Sequence, residues 1–396
     1  MSAARRRVLV IEGRSRKAVA VVRSLGRAGY EVHVTSRVPL APARGSRWCA
    51  RFFRHPDPER DQAAFLSFAL GRVRSDRYDV VLPMESDALA VLSAHRAELP
   101  SGTAFPFAPD AVLRRAADKQ QVMDLAESLD IPAPRSSRPE SPAAALEAAD
   151  RIGYPVILKP REGQGSHGVK LVQDRAELEA SYPAIVARFG PTLIQEYVPP
   201  GGGEFGVSML MGHAREVLAR FSHRRLRSYP VAGGPSTLRE SVRCPEAEAI
   251  AERLLRALEW EGVAMVEFRR DPRDGSFKLI EVNHRFWGSL QLAIVSGVDF
   301  PRLLCASALG ETVTPVFEYR LGVQCRWLFP GDVMHFLSNP DRWRLNPSFF
   351  RFVGPELHYD IASLSDPGPG LLVLGDSLMQ ALDPARVRQV TRREGH

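Results

Sequence analysis

Residues 153–172, GYPVILKPREGQGSHGVKLV, decide how the rest of the chain is read. An apolar strand, YPVILKP, carries Lys159 near its end; a turn with glycines at 163, 165 and 168 follows at once, and VKLV starts a second strand. The order describes a hairpin. A P-loop needs GxxxxGK[ST] with a helix behind it, so a lysine placed before the glycines excludes that class. A glycine-rich turn can still close over a triphosphate and donate backbone N–H groups to it. It would equally suit an ordinary hairpin whose glycines supply positive φ angles.

Residues 193–211, LIQEYVPPGGGEFGVSMLM, follow at a distance of one helix (176–190). An apolar strand runs into an extended Glu196-Tyr197-Val198, then a Pro/Gly turn, then Glu204 at the start of another strand. A backbone carbonyl and N–H in such a hinge can read the edge of adenine. Glu204 can accept from both ribose hydroxyls, as an acidic residue does in dinucleotide folds. A solvated turn with a surface glutamate is the alternative.

Residues 262–289, GVAMVEFRRDPRDGSFKLIEVNHRFWGS, form a third block: strand VAMVEFRRD, turn PRDG, strand SFKLIEVN. Glu267 lies on one arm, Glu281 and Asn283 on the other, and two residues two apart on a strand share a face. Each glutamate interrupts a strongly apolar run, where an unpaired carboxylate costs on the order of several kcal/mol. Mg²⁺ is a fitting partner, a hard ion that takes one or two carboxylates, an amide oxygen and substrate phosphates. Two buried Glu–Arg pairs are the alternative. Arg285 continues the same face, where a fixed guanidinium can stabilise charge growing on a transferred phosphoryl group; it could also simply neutralise Glu281.

The bulk composition agrees with a nucleotide site and narrows the rest. At 396 residues the chain suits two or three domains. Its net charge of +7 is spread out and no nucleic-acid motif is present. Lysine occurs only at 17, 119, 159, 170 and 278 among 53 basic residues, so a retained lysine marks a place needing a compact ammonium, such as a phosphate contact. Cys49, Cys244, Cys305 and Cys325 form no CxxC pair, which indicates neither zinc nor a disulfide framework and suits a cytoplasmic location. The apolar run after Arg5-Arg6-Arg7 is short for a signal peptide, and no run approaches a membrane span.

The remaining pattern sets the expected architecture. RVLVIEG (7–13), a helix over 17–29 and YEVHVTS (30–36) read as a β-α-β opening, and YDVVLPM (78–84) with a helical 85–99 continues it. GRSRKA stands where GxGxxG would bind a dinucleotide, which weakens that reading. Residues 110–130 read as one helix, and a second ends at Gly153. The Trp-, Phe- and Arg-rich residues 319–352 and the basic tail VRQVTRREGH (387–396) read as a C-terminal appendage.

Taken together, these motifs resemble the ATP-grasp superfamily: Asp118-Lys119 in a helix after the first domain, Lys159 before a glycine turn, an E-x-Φ hinge with an acid beyond it, and Glu…Glu-x-Asn followed by Arg. The resemblance covers about residues 105–305. It implies an α/β chain, of α+β ATP-grasp type: an N-terminal α/β domain with a parallel sheet (1–109), a small lobe with the glycine loop (110–190), a large lobe with the metal site (191–315), both lobes with antiparallel sheets, and the appendage (316–396). It further implies that Lys119 and Lys159 contact ATP phosphates, that Gly165, Ser166, His167 and Gly168 cover them, and that Glu196, Tyr197 and Val198 hold adenine. Glu204 would bind ribose, Glu267, Glu281 and Asn283 would carry Mg²⁺ (with Mn²⁺ a substitute), and Arg285 would be catalytic. Within the superfamily the hinge resembles D-alanine–D-alanine ligase, whereas residues 220–241 and NHRFWGSLQLA look more like carbamoyl-phosphate-synthase-like carboligases, which include D-aspartate ligase. His284 stands where many of that group have proline, and no role is assigned to it.

The expected activity is ligation of a small carboxylate, activated as an acyl phosphate, to an amine, with an amino acid or peptide-like substrate; no nucleic-acid partner is expected, and homodimerisation is left open. The arginine-dense residues 220–239 offer Arg224, Arg225 or Arg239 as a bidentate grip on a substrate carboxylate, or form a solvated basic loop. A regulatory ATP-binding protein, an ATP-grasp phosphotransferase and a carboxylase are the alternatives. The retained Glu267, Glu281, Asn283 and Arg285 argue against the first, and the absence of a biotin-carrier motif disfavours the last.

Overall fold

The apolar run after Arg7 becomes β1 (Arg7–Ile11), buried at the centre of a parallel sheet, in a computed structural model that describes residues 5–161, 168–231 and 233–382, with side chains to 377. α1 (Arg16–Arg27) and β2 (Glu31–Ser36) complete the expected β-α-β unit. β3 (Cys49–Arg54) and α2 (Gln62–Asp76) were not legible in the sequence, because β3 is a half-exposed edge strand without an apolar run. β4 (Val80–Pro83) and α3 (Ser86–Ala94) follow, and the sheet order is β3-β2-β1-β4 with parallel neighbours throughout. Parallel strands bring the starts of α1 and α3 to one edge, beyond the strand ends, where ligands bind in open α/β sheets.

The helix expected over 110–130 is broken into α4 (Asp110–Ala117) and α5 (Lys119–Ser128). The cause is Asp118, whose carboxylate caps α5 by accepting from the Gln120 and Gln121 N–H groups and pairs with Arg161. β5 (Ser136–Ser137), α6 (Pro142–Ile152), β6 (Val156–Pro160), β7 (Lys170–Val172), α7 (Arg175–Phe189) and β8 (Thr192–Glu196) build an antiparallel sheet in the order β5-β8-β6-β7. Gly153 ends α6 at a φ of +92°, as its position suggested. This lobe has its own core of Ala145, Ala149, Val156, Leu158, Leu178 and Ile194.

β9 (Glu204–Met211), β10 (Val217–Ser228), β11 (Ser236–Ser241), α8 (Pro245–Ala257), β12 (Gly262–Arg270), β13 (Phe277–Asn283), α9 (Leu290–Ser296) and α10 (Phe300–Ala308) make the larger lobe. The arginine-dense 220–239 is thus mostly strand, not loop. β14 (Gln324–Arg326), α11 (Val333–Ser338), β15 (Leu357–Tyr359) and α12 (Gly368–Leu382) complete the described chain. The large sheet runs β13-β12-β9-β10-β11-β14-β15, and one core joins it to the N-terminal sheet. The region read as an appendage therefore extends the sheet by two strands. It also locks onto α1, where buried Arg23 meets Asp366 at 2.8 Å. No single helix among the described residues is long and apolar enough to cross a membrane.

Candidate active site

The β12–β13 register sets Glu267 opposite Glu281 and Met265 opposite Asn283, with a bulge just after Glu267. Asn283 Nδ2 donates to Glu267 Oε1 at 3.1 Å, and Arg225 Nη2 stands 3.5 Å from Glu267 Oε2. Among the described residues Glu281 has no ion pair. Burial, and then the facing Glu281, push the Glu267 carboxyl above its usual range. Two carboxylates opposed in a low-dielectric hairpin repel one another, and a divalent cation removes that penalty. Two carboxylates with an amide oxygen beside them are hard donors that fit Mg²⁺.

The small lobe brings cations to this hairpin. Lys159, 7% exposed, donates from Nζ to the Ile280 carbonyl at 3.1 Å. Lys119 opens α5, and its N–H donates to the Arg161 carbonyl at 3.2 Å. Gly168 has a φ of +75°, and a Cβ there would lie 2.7 Å from Pro160 Cγ, so the chain needs glycine at this point. Gly165, Ser166 and His167 lie outside the described residues.

At the hinge, Glu196 accepts from Arg135 N and Nε at 3.2 Å each and from Arg273 Nη2 at 2.8 Å. Its N–H is spent on the Arg135 carbonyl, and the Val198 carbonyl accepts from Arg269 Nη1 at 3.0 Å. The Glu196 N–H and the Val198 carbonyl are thus engaged within the protein, while the Val198 N–H has no acceptor among the described residues. Tyr197, between them, is partly buried. Glu204 accepts from Arg225 at 2.7 Å and from Arg269. Burial raises its pKa, but Arg225 and Arg269 outweigh that and hold the carboxyl below its usual range.

The three candidate arginines separate. Arg225 bridges Glu204 and Glu267. Arg224, one residue earlier on β10, points to the other face and pairs with Glu240 at 2.7 Å. Arg239 is fully buried, and Asp360 holds both its terminal nitrogens. Each of the three arginines thus already meets a carboxylate of this chain, and only Arg225 does so beside Glu267.

The N-terminal sheet supplies a part that the sequence reading missed. Arg285, 9% exposed, donates from Nε to Ser86 Oγ at 3.0 Å, and its Nη2 lies 3.8 Å from Glu85 Oε2. Lys17 Nζ meets the same Glu85 oxygen at 3.0 Å. Burial, then Arg285, lower the Lys17 ammonium to about 7. His284, left without a role above, sits 3.2 Å from Ser86 Oγ, and burial with Arg285, Lys17 and Lys119 pushes it down to about 3. These effects put α1, α3, α5 and the end of β13 around one point. The scarcity of lysine was the signal that could have flagged Lys17.

Other acidic and concave features stand apart. Asp57, Glu59 and Asp87 lie within ligand reach of one another, but Arg37 bonds Asp57 at 3.0 Å and Asp87 at 2.6 Å. The adjoining cleft of about 520 Å³, lined by Gln62, Leu66, Val91 and Arg114 among others, contains none of the motif residues.

Two family models match in tandem. Residues 118–191 match the carbamoyl-phosphate synthase L chain ATP-binding domain, and residues 188–329 match ATP-grasp in the biosynthetic pathway with Ter operon. Over these two stretches the chain resembles ATP-grasp proteins. It is 27% identical over 263 residues to the carbamoyl phosphate synthase large chain, C-terminal section, of Methanopyrus kandleri, covering 63% of this chain and 47% of that one. It is 29% identical over 175 residues to D-alanine–D-alanine ligase of Stutzerimonas stutzeri, covering 42% and 55%. The chain thus spans about half the length of these relatives. The fold resembles biotin carboxylase of Campylobacter jejuni (TM-score 0.65, 18% identity, covering 80% of this chain and 74% of that one). It also resembles N5-carboxyaminoimidazole synthetase of Staphylococcus aureus (0.63, 16%, covering 81% and 80%).

Proposed function

We propose that this chain is an ATP- and Mg²⁺-dependent ligase that activates a carboxylate as an acyl phosphate and joins it to an amine. The observation that carries the reading is the facing pair Glu267 and Glu281, with Asn283 beside them and Lys159 bonded next door at Ile280. Glu267, Glu281 and Asn283 would hold Mg²⁺, which supplies charge neutralisation for the triphosphate. Lys159 and Lys119 contribute cations to the phosphates, Glu204 receives the ribose hydroxyls in exchange for an arginine, and the Val198 N–H meets adenine.

In the first step a carboxylate oxygen attacks the γ-phosphorus, the bond to the bridging oxygen breaks, and ADP leaves. Arg285, fixed by Ser86 and the Phe286 carbonyl, holds the transferred group as charge develops on it. In the second step the amine attacks the acyl carbon and inorganic phosphate leaves, the amine's proton passing to solvent or phosphate. Catalysis of this kind rests on positioning and electrostatics.

Purified protein with Mg²⁺ and ATP should form ADP only when a carboxylate is present, and hydroxylamine should trap that carboxylate as a hydroxamate. A panel of amino acids and small carboxylates, singly and in pairs, identifies the substrates. ADP formation with bicarbonate alone would transfer the site to carboxylation, and no ADP with any pair would remove the ligase reading.

A further inference from the structure

The metal and the activated carboxylate leave part of the buried charge unexplained. Arg16 and Arg239 share one buried acid: Asp360 is held by both terminal nitrogens of Arg239 and approached by Arg16 at 3.5 Å. The hydrogen bonds of Arg16 go to neutral carbonyls, from Nε to Gly288 at 2.7 Å and from Nη2 to Ser236 at 3.2 Å, while its guanidinium lies 4.2 Å from the Trp327 ring centre. Its Nη1 bonds to nothing among the described residues. Beside it, Lys17 offers three N–H groups in a 5% exposed side chain, and Glu85 is its one acceptor among the described residues.

These cations occupy the wrong end of a helix. Arg16 and Lys17 are the first two residues of the twelve-residue α1, whose Ser15 side chain caps no backbone N–H and whose first turn contains no acid. A helix start presents unpaired N–H groups and a positive dipole end, which favour an anion and disfavour cations. The positive field extends to both sides. His284 lies near Lys17, and His223, bonded to Ser289, is pushed down to about 3 by burial with Arg239 and Arg225. Charges buried in this way are stable only when counter-charges complete them.

We propose that Arg16 and Lys17 form a subsite for an oxyanion, a carboxylate or phosphate group that the substrate carries in addition to the carboxylate activated at Arg285. This rests on the ligase reading and narrows its substrate to a dianion. Lys17 and Arg285 approach the same Glu85 oxygen at 3.0 and 3.8 Å, so one small molecule can reach both. The N-terminal sheet then acts as the specificity element, and Arg16 ties it to the large sheet through Gly288, Ser236 and Asp360.

Sulfate and acetate are the probes, titrated by calorimetry into the full chain saturated with Mg²⁺ and the β,γ-imido analogue of ATP, which fills the nucleotide's own phosphate positions. At least one probe should bind. Lys17→Met should weaken it tenfold or more with the analogue still bound, while Arg60→Gln, at an 88% exposed side chain, changes nothing. A preference for sulfate marks a phosphorylated substrate, and a preference for acetate a dicarboxylate.

A second measurement needs no variant. Because Lys17 titrates near 7, anion binding at pH 8 should take up a fraction of a proton, read from buffers of different ionisation enthalpy, and at pH 6 almost none. Neither anion binding, or binding without proton uptake and unchanged in Lys17→Met, overturns the subsite. Failure of the ATP analogue to bind overturns the ligase reading itself, and the subsite with it.

Discussion

The ammonium of Lys159 donates to the carbonyl oxygen of Ile280 at 3.1 Å, one residue before Glu281. This bond ties the end of β6 to the hairpin that carries the acids, so the lysine is aimed before any nucleotide arrives. Lys159→Met should weaken binding of a fluorescent ATP analogue more than tenfold. Lys159→Arg should not restore it, because a planar fork cannot take the place of a compact ammonium. Equal binding by wild type and both variants would exclude Lys159 from the phosphate site.

Glu281→Gln should lower Mg²⁺-dependent ADP formation at least a hundredfold. It should not lower the Tm of the metal-free protein, since it removes the charge that faces Glu267. Activity close to wild type would mean that the metal is held elsewhere.

Asp118 caps α5 and pairs with Arg161, so Asp118→Ala should cost about 1–2 kcal/mol in urea unfolding. Burial raises its pKa, but Arg161 and the hydrogen bonds from Gln121 outweigh that and hold the carboxyl at about 2, below its ordinary 3.8. The folded value is the lower one. Its contribution is therefore present above pH 4 and lost as pH falls towards 2, and the variant should lack that part of the acid slope.

Arg239→Met leaves Asp360 buried with Arg16 as its remaining cation beside the Cys325 thiol, and breaking a buried pair costs about 3–5 kcal/mol. Arg224→Ala breaks an exposed pair and should cost roughly 0–1 kcal/mol with little change in substrate KM. Thermal unfolding and substrate titration of both variants check this contrast. A large KM effect at Arg224 would return it to the substrate site.

His223 has a folded pKa of about 3 against an ordinary 6.5, lowered by burial and by Arg239 and Arg225. The unfolded chain binds the proton first, so stability falls as pH drops from about 6.5 towards 3. His223→Gln should flatten the slope by about one proton in denaturant titrations between pH 6 and 4. An unaltered slope would show that His223 is not held neutral.

Legibility in the sequence followed the range of the interactions. The Lys159 strand, the Glu204 strand and the Glu267/Glu281 hairpin were readable because each is a local pattern, in which an apolar run interrupted by one polar residue reports burial and face together. β3 was missed because an edge strand buries too little to leave an apolar pattern. Asp118 was read as helix interior, since a capping aspartate and an interior one look alike without knowledge of Arg161, 43 residues further on.

Arg224, Arg225 and Arg239 show the same limit within one site. Their number and spacing were visible, but which of them meets Glu267, which meets Asp360 and which faces solvent depends on strand pairing and on an aspartate from the last part of the chain. By itself the sequence determined the motifs of an ATP-grasp protein, their order and their likeness in chemistry to a nucleotide and metal site, because those are set by short-range periodicity and residue type. Only the tertiary structure decided that Arg16, Lys17 and Glu85 join Arg285. Charges far apart along the chain interact only after the cores have packed and the surrounding dielectric has fallen.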